Sequence, residues 1–359
     1  MRGTPRWPFC SRGSGASGVS GARYAYLNTR VSILAGRLLP TARFEALLEQ
    51  GAAEIASPEW GDIGVFLSPD GPDPVRLEQL LLTKIWHDFQ VLARAAQPRE
   101  RALLVYGFHW FELMNLKALM RGKLSGLPEK VIRDQILDVG PFASLPVDDL
   151  LRTEDPAEML RRLETTAYAD IARQTRQVYE QHKDLFSVDA TIDRRYFAEL
   201  QSRARSIGGN EQYAVLDVVG RVLDRFNLSW LLRYRFSYNL PPAEAYYLLA
   251  PPGRQLGADR LLALAQLGSL EEIINALPPG LKELLSGVTS VSEADNRLDG
   301  MMMEAAMRAV KDATHPVARA FAYLIVRDGE MRRLMAIVKG LRMGLPNELI
   351  RFAARLEAA

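Results

Sequence analysis

The segment GEMRRLMAIVKGLRMGLPNELIR, residues 329–351, consists of a helix, a stop, Leu-Pro and the opening of a second helix. The same design occurs twice more. FELMNLKALMRGKLSGLPEKVIR covers residues 111–133, and LDRFNLSWLLRYRFSYNLPPAEAYY covers 223–247. Gly126 and Gly344 suit the left-handed residue that ends a helix, and Asn239 is the usual substitute in the second copy. Pro128, Pro241 and Pro346 fit the first turn of the following helix, where a missing N–H costs nothing. Glu129, Glu244 and Glu348 complement the positive end of that helix. Copies one and three align without gaps, and copy two carries one extra residue between Ser237 and Leu240.

Working outward, a half-repeat lies between these blocks. Leu150-Leu151 precedes Thr153-Glu154-Asp155-Pro156, and Leu264 precedes Leu267-Gly268-Ser269-Leu270. The third version is placed at Leu38-Leu39-Pro40-Thr41. The Leu-Pro marks stand roughly 110 residues apart, which excludes the short-period solenoids. The third unit is therefore split, with one half ending the chain and the other beginning it. Such a chain closes on itself, and three helical lobes in a pseudo-threefold arrangement are expected.

The rest of the chain agrees. Apolar residues recur at three- and four-residue spacing through Leu77–Ala95, Ala102–Leu124, Met159–Ile171, Ala214–Phe236, Leu261–Ala276 and Val317–Leu341, which predicts an all-α fold. Breakers cluster at Ser57–Pro74, Gly140–Pro146, Pro251–Gly257 and Pro278–Gly280. Residues 1–22 are Gly-, Ser-, Pro- and Arg-rich without apolar period and predict a disordered tail. The G-x-G-x-x-G match at Gly13, Gly15 and Gly18 lacks the preceding strand that a dinucleotide site requires.

The charges, 45 Lys+Arg against 43 Asp+Glu over 359 residues, give no general drive onto nucleic acid or anionic lipid. The single cysteine, Cys10, forms no internal disulfide. No stretch reaches the 18 or so apolar residues of a membrane span. His87, His109, His182 and His315 show no metal-ligand or triad spacing, and the signatures of nucleotide-binding loops, metalloproteases and nucleophile elbows are missing. Trp86, Trp110 and Trp230 lie on apolar faces and are expected in the core, and Met301, Met302, Met303 and Met307 suit either core or an adaptable partner surface.

Within the repeat, Glu112, Asp224 and Glu330 share one aligned position, expected to hold locally paired helix-side charges. Nine residues later stand Arg121, Arg233 and Lys339, near helix C-termini where the helix dipole favours cations. Tyr234 stands where copies one and three have Gly122 and Gly340.

The segments Tyr24-Ala25-Tyr26-Leu27-Asn28-Thr29-Arg30, Thr165-Thr166-Ala167-Tyr168 and Glu330-Met331-Arg332-Arg333-Leu334, the last running to Gly344-Leu345-Pro346, resemble one family. It is the family of the C subunit of bacterial and archaeal V-type (A-type) ATPases, related to the d subunit of the eukaryotic V-ATPase. The resemblance covers Tyr24 to the C-terminus. It implies an all-helical funnel of three lobes: 23–99 as the N-terminal half of the split lobe with a connecting helix, 100–205 and 206–314 as two full lobes, and 315–359 as the closing half. It further implies a non-catalytic central-stalk (rotor) protein without cofactor or metal. Such a protein is peripheral on the cytoplasmic face, and couples the central axle of the ATP-hydrolysing head to the membrane rotor ring. Contacts to axle or ring are expected at Arg121, Lys123, Arg233, Arg235, Lys339 and Arg342. The alternative is an all-helical scaffold that binds a partner peptide or helix outside any rotary complex. An all-α enzyme ranks third and would have to use Glu112, Asp224 and Glu330.

Overall fold

The computed structural model describes residues 15–51, 64–66, 71–140 and 143–356. Every regular element among them is helical. In chain order they are α1 (Gly15–Ala35), α2 (Thr41–Gln50), α3 (Pro74–Ala95), α4 (Pro98–Leu124), α5 (Glu129–Arg133), α6 (Val147–Leu151), α7 (Pro156–Leu163), α8 (Ala169–His182) and α9 (Leu185–Ser206). There follow α10 (Gly209–Leu232), α11 (Pro242–Tyr247), α12 (Ala258–Ala265), α13 (Leu270–Ala276), α14 (Pro279–Leu284), α15 (Val291–Lys311), α16 (Pro316–Arg342) and α17 (Asn347–Ala353). No described helix is long and apolar enough to cross a membrane.

Six long helices form three hairpins, α3–α4, α9–α10 and α15–α16. Their first helices start alike. Asp73, Asp184 and Ser290 are the N-caps, and their side chains accept from Val75 N (2.8 Å), Ser187 N (2.7 Å) and Glu293 N (3.1 Å). Four residues after each cap, Leu77, Val188 and Ala294 are fully buried. The hairpins then contact one another in a closed cycle: α4 packs on α9, α10 on α15, and α16 back on α3. The N-terminal helices α1 and α2 lie on α16, and α2 also meets α17, so the two ends of the chain share one body. Leu27, Val31, Phe44 and Leu47 are buried there.

Burial forms two apolar clusters rather than one per hairpin. The larger runs without a break through α1–α9, the first half of α10, the second half of α15, α16 and α17, and the smaller joins the end of α10 to α11–α14 and the start of α15. Trp230 borders both, and an aromatic group of Tyr106, Trp110, Tyr196, Phe197, Phe226 and Trp230 fills the junction of α4, α9 and α10 with centroids 4.7–6.0 Å apart. Trp86, Met302 and Met303 are buried core residues.

Three expectations are corrected. Residues 15–22 of the stretch read as a tail belong to helix α1, because a helix anchored by the packing of Tyr24–Ala35 propagates backward cheaply. Residues 1–14, like most of the Ser57–Pro74 loop, lie outside the described residues. The apolar run Met159–Ile171 is two helices separated by a turn at Thr165–Tyr168, and Leu261–Ala276 breaks at Ser269, which caps α13 by accepting from Glu272 N at 3.1 Å.

Candidate functional site

The aligned carboxylates are not surface charges. Glu112, Asp224 and Glu330 are 1%, 2% and 5% exposed. Each reaches across to the backbone that enters the next short helix. Glu112 accepts from Ser144 N (2.5 Å) and Ser144 Oγ (2.9 Å), ahead of α6. Asp224 accepts from Gln255 N (2.8 Å) and Leu256 N (2.9 Å), ahead of α12. Glu330 accepts from Leu39 N (2.5 Å), ahead of α2. A buried carboxylate on backbone donors is a strong tie, because breaking it strands polar groups on both sides. Burial pushes the Asp224 and Glu330 carboxyls above the usual carboxylate range, against the pull of those N–H donors. Tyr168 also donates to Glu112, which explains the Thr165–Tyr168 turn.

These ties correct the register of the half-repeat. Leu39-Pro40 corresponds to Leu145-Pro146 and Leu256-Gly257, not to the segments around Asp155 and Ser269. In the corrected frame Phe44, Leu150 and Leu261 coincide, and all three are buried.

A second tie accompanies the first in two copies. Three residues after the carboxylate, Asn115 donates to Leu137 O (2.7 Å) and accepts from Leu137 N (3.0 Å), while Asn227 donates to Pro251 O (3.0 Å). A third tie uses two of the expected contact cations. Lys123 Nζ donates to Leu151 O and Thr153 O, both at 2.6 Å, closing the C-terminus of α6. Arg235 likewise donates to Leu267 O (3.2 Å), beyond α12, and to Leu240 O (2.7 Å), ahead of α11. Arg342 donates to Pro72 O, just before α3. Lys123, Arg235 and Arg342 thus spend their hydrogen bonds on their own chain.

The remaining expected cations form a set. Arg121 meets Asp189 at 2.9 Å, Arg233 meets Asp295 at 2.6 Å, and Lys339 stands 3.9 Å from Glu78. Each acid is the fifth residue after an aligned N-cap, on the first helix of the neighbouring hairpin. The pairs therefore mark the cycle α4–α9, α10–α15 and α16–α3. The cations are about half exposed, at 48%, 46% and 52% of their side chains. Sequence reading finds these cations but not their acids. The matching signal is the Asp/Ser cap followed five residues later by Asp or Glu.

The tip of each hairpin's second helix, at the open end of the hairpin, stops at a left-handed residue, with φ of 63° at Gly126, 55° at Asn239 and 64° at Gly344. Leu127 N to Gly122 O (2.9 Å) and Leu345 N to Gly340 O (3.0 Å) complete the helix stops. The extra residue of copy two is absorbed in a π-helical turn at Arg233–Ser237, where Tyr238 N donates to Arg233 O at 2.9 Å. Beyond the stops the tips expose Leu127 and Val131, Tyr238 and Tyr247, and Met343, Leu345 and Leu349.

The densest charge cluster is structural. Asp295 and Asp299 of α15 are surrounded by Arg225 (3.5 and 3.1 Å), Arg332 (3.5 Å to Asp299) and Arg355. Burial alone would raise the Asp299 carboxyl, but Arg225, Arg332 and Arg355 hold it at about 2. No group of three His, Cys, Asp or Glu side chains suited to a metal occurs among the described residues.

Comparison with known proteins places this architecture. Residues 27–352 match the family described as ATP synthase (C/AC39) subunit. The C subunit of the A-type ATP synthase of Methanosarcina mazei is 24% identical over 353 residues, covering 95% of this chain and 95% of that protein. The protein of the same name from Methanocaldococcus jannaschii is 22% identical over 343 residues, 92% of this chain and 86% of its own length. The C subunit of the V-type ATP synthase of Thermus thermophilus is 26% identical over 330 residues, 90% and 95% of the two chains. With a buried-carboxylate repeat, a closed cycle of helical hairpins and a family match across nearly its whole length, the chain belongs to the ATP synthase (C/AC39) subunit family.

Proposed function

We propose that this chain is a non-catalytic coupling element of a rotary ATP synthase or ATPase, joining the central axle of the nucleotide-processing head to the ion-translocating ring in the membrane. The observation that carries the reading is the closed cycle of three hairpins in a chain of this family. A coupler must pass torque without absorbing it. Helices locked by buried carboxylates at every junction resist shear better than loops would, since each displacement strands a buried charge. In this reading the chain is a three-lobed funnel, held at the membrane through the ring rather than by a span of its own.

The contact residues follow from what the fold leaves open. Lys123, Arg235 and Arg342 serve internal carbonyls, so the proposed axle or ring contacts narrow to Arg121, Arg233 and Lys339. Their acid partners orient the cations; the Arg121–Asp189 and Lys339–Glu78 pairs are exposed and contribute little to stability, whereas Arg233 meets the buried Asp295. A tagged pull-down from gently solubilised membranes tests the function. Recovery of a small apolar ring protein with axle and head proteins supports it; a chain that returns alone, or with one helical partner, favours a scaffold outside any rotary complex. The triple variant Arg121→Glu/Arg233→Gln/Lys339→Glu, which spares the buried Asp295 a like charge, tests the residues. It should keep its circular dichroism but lose those partners, and normal assembly and pumping would remove these residues from the interface.

A further inference from the structure

The three junctions of the cycle are built from one plan, but one of them lacks most of it. At the first junction α6 and the segment before it are tied back by Glu112, Asn115 and Lys123, and at the second α12 and the segment before it by Asp224, Asn227 and Arg235. At the third, where α2 is seated, only the carboxylate Glu330 is kept. The Asn position is Arg333, whose guanidinium lies over the Phe44 ring at 5.9 Å, and the Lys/Arg position is Leu341, whose side chain has no donor. This is also the junction that the backbone does not bridge. Glu112 and Ser144 are 32 residues apart in sequence and Asp224 and Leu256 are also 32 apart, whereas Glu330 and Leu39 are separated by 291.

What holds the seam is of another kind. Arg351 of α17 pairs with Glu45 of α2 at 2.6 Å, with side chains 33% and 28% exposed. Asn347 reaches Leu48 O only at 3.4 Å. On α1, Arg319 donates to Asn28 O and Oδ1 (both 3.1 Å) and to Ser32 Oγ (3.0 Å), Asn28 donates to Ala313 O (2.7 Å), and the one carboxylate tie is Tyr24 OH to Glu100 (2.8 Å), with no backbone donor in it. Glu330 itself is shared, since Arg327 donates to it while also meeting Asp88 at 3.2 Å.

We infer that α1 and α2 act as a strap that lifts from α3, α16 and α17 as one unit while the α16–α3 contact and the α6 and α12 junctions stay shut. Local opening of a weakly tied unit below the global unfolding free energy is an ordinary property of folded chains. The use of such an opening rests on the coupling role proposed above: lifting the strap frees the face of α16 that it covers for an axle partner. The opening itself does not depend on that role.

Hydrogen exchange of the full-length chain, read by mass spectrometry, tests it. Peptides covering residues 24–50 should exchange together and at least about tenfold faster than those covering 144–151 and 256–265. Leu341→Lys supplies the missing donor and should slow α2 selectively, leaving α6 and α12 unchanged. Arg351→Ala should speed α1 and α2 only. Equal protection of the three short helices in the unmodified chain overturns the inference, as does exchange in α1 and α2 that frays residue by residue from the N-terminus rather than as a unit. Either result would leave the pull-down outcome untouched, so the two readings fail separately.

Discussion

At the scale of single residues, the aligned Glu112, Asp224 and Glu330 show how much a sequence conveys and where it stops. Their recurrence is legible and their burial is not, because a carboxylate on a helix usually faces water. Donors far away in sequence make burial tolerable: backbone groups 32 residues downstream for Glu112 and Asp224, and Leu39 N at the other end of the chain for Glu330. Asp224→Ala strands the N–H groups of Gln255 and Leu256 and should cost roughly 3 kcal/mol in urea unfolding. The mismatch at Tyr234 is also compensated. A Cβ on Gly122 would lie 2.5 Å from Ile132 Cγ1, and one on Gly340 2.6 Å from Ile350 Cγ1, whereas Tyr234 coexists with Ala245 at the Ile position. Large and small have exchanged sides, which no reading of one position reveals. Gly122→Ala should cost about 1–3 kcal/mol, and Gly122→Ala/Ile132→Ala should recover part of that loss; chemical denaturation of both variants checks it. Asp299 carries the acid sensitivity. Its folded pKa is depressed to about 2, so its contribution is present above the ordinary carboxylate value and is lost as pH falls from about 4 toward 2. Asp299→Asn should remove roughly 2 kcal/mol of that dependence from a stability profile across pH 4 to 2. The raised carboxyls of Asp224 and Glu330 have the opposite sign and favour folding as the pH drops toward their ordinary values.

At the scale of elements, periodicity locates the long helices well, since their apolar faces are broad and Gly, Asn and Pro mark their ends. The same pattern runs the short helices α6, α7, α12 and α13 together or pairs them with the wrong counterparts. Helices of five to eight residues hold too few apolar positions to fix a period. The places of α6 and α12 are set instead by Glu112 and Asp224, each 32 residues upstream of its backbone donor. The cations illustrate the same limit. Lys123 and Arg121 are two residues apart and look equivalent in sequence, yet one closes α6 and the other faces out. Lys123→Ala and Arg235→Ala should each lower stability by about 1–2 kcal/mol through the loss of carbonyl partners at α6 and α12. Arg121→Ala and Lys339→Ala should change it by less than about 0.5 kcal/mol. Thermal unfolding of the four variants separates structural cations from those available to a partner. If all four behave alike, the division of labour between the two sets is wrong.

At the scale of the whole molecule, closure follows from the packing of the third hairpin on the first. Each hairpin needs a neighbour to cover its second helix, and the third hairpin finds that neighbour in the first, through α16 on α3. The N-terminal α1 and α2 then cover the face of α16 that residues such as Leu334, Ile337 and Val338 would otherwise expose. In such a cycle the position of the chain ends is a covalent accident laid over a non-covalent ring. The loop Ser286–Thr289, between α14 and α15, carries none of the buried ties, and Gly287 turns there with φ of 73°. A circular permutant opened at Ser286–Gly287, with Leu356 joined to Tyr24 by a flexible linker of about 20 residues, keeps every hairpin contact and all three carboxylate ties. It should fold with unchanged helix content and a melting temperature within about 5 °C of the parent, because the linker cost grows only logarithmically with length. Joining the ends also tethers α1 to α17, so exchange across α1 and α2 should slow relative to the parent. A permutant that fails to fold while its far-UV spectrum reports separate helices would mean that the ends are not interchangeable. The ring would then depend on the order in which the chain is made, not on its contacts alone.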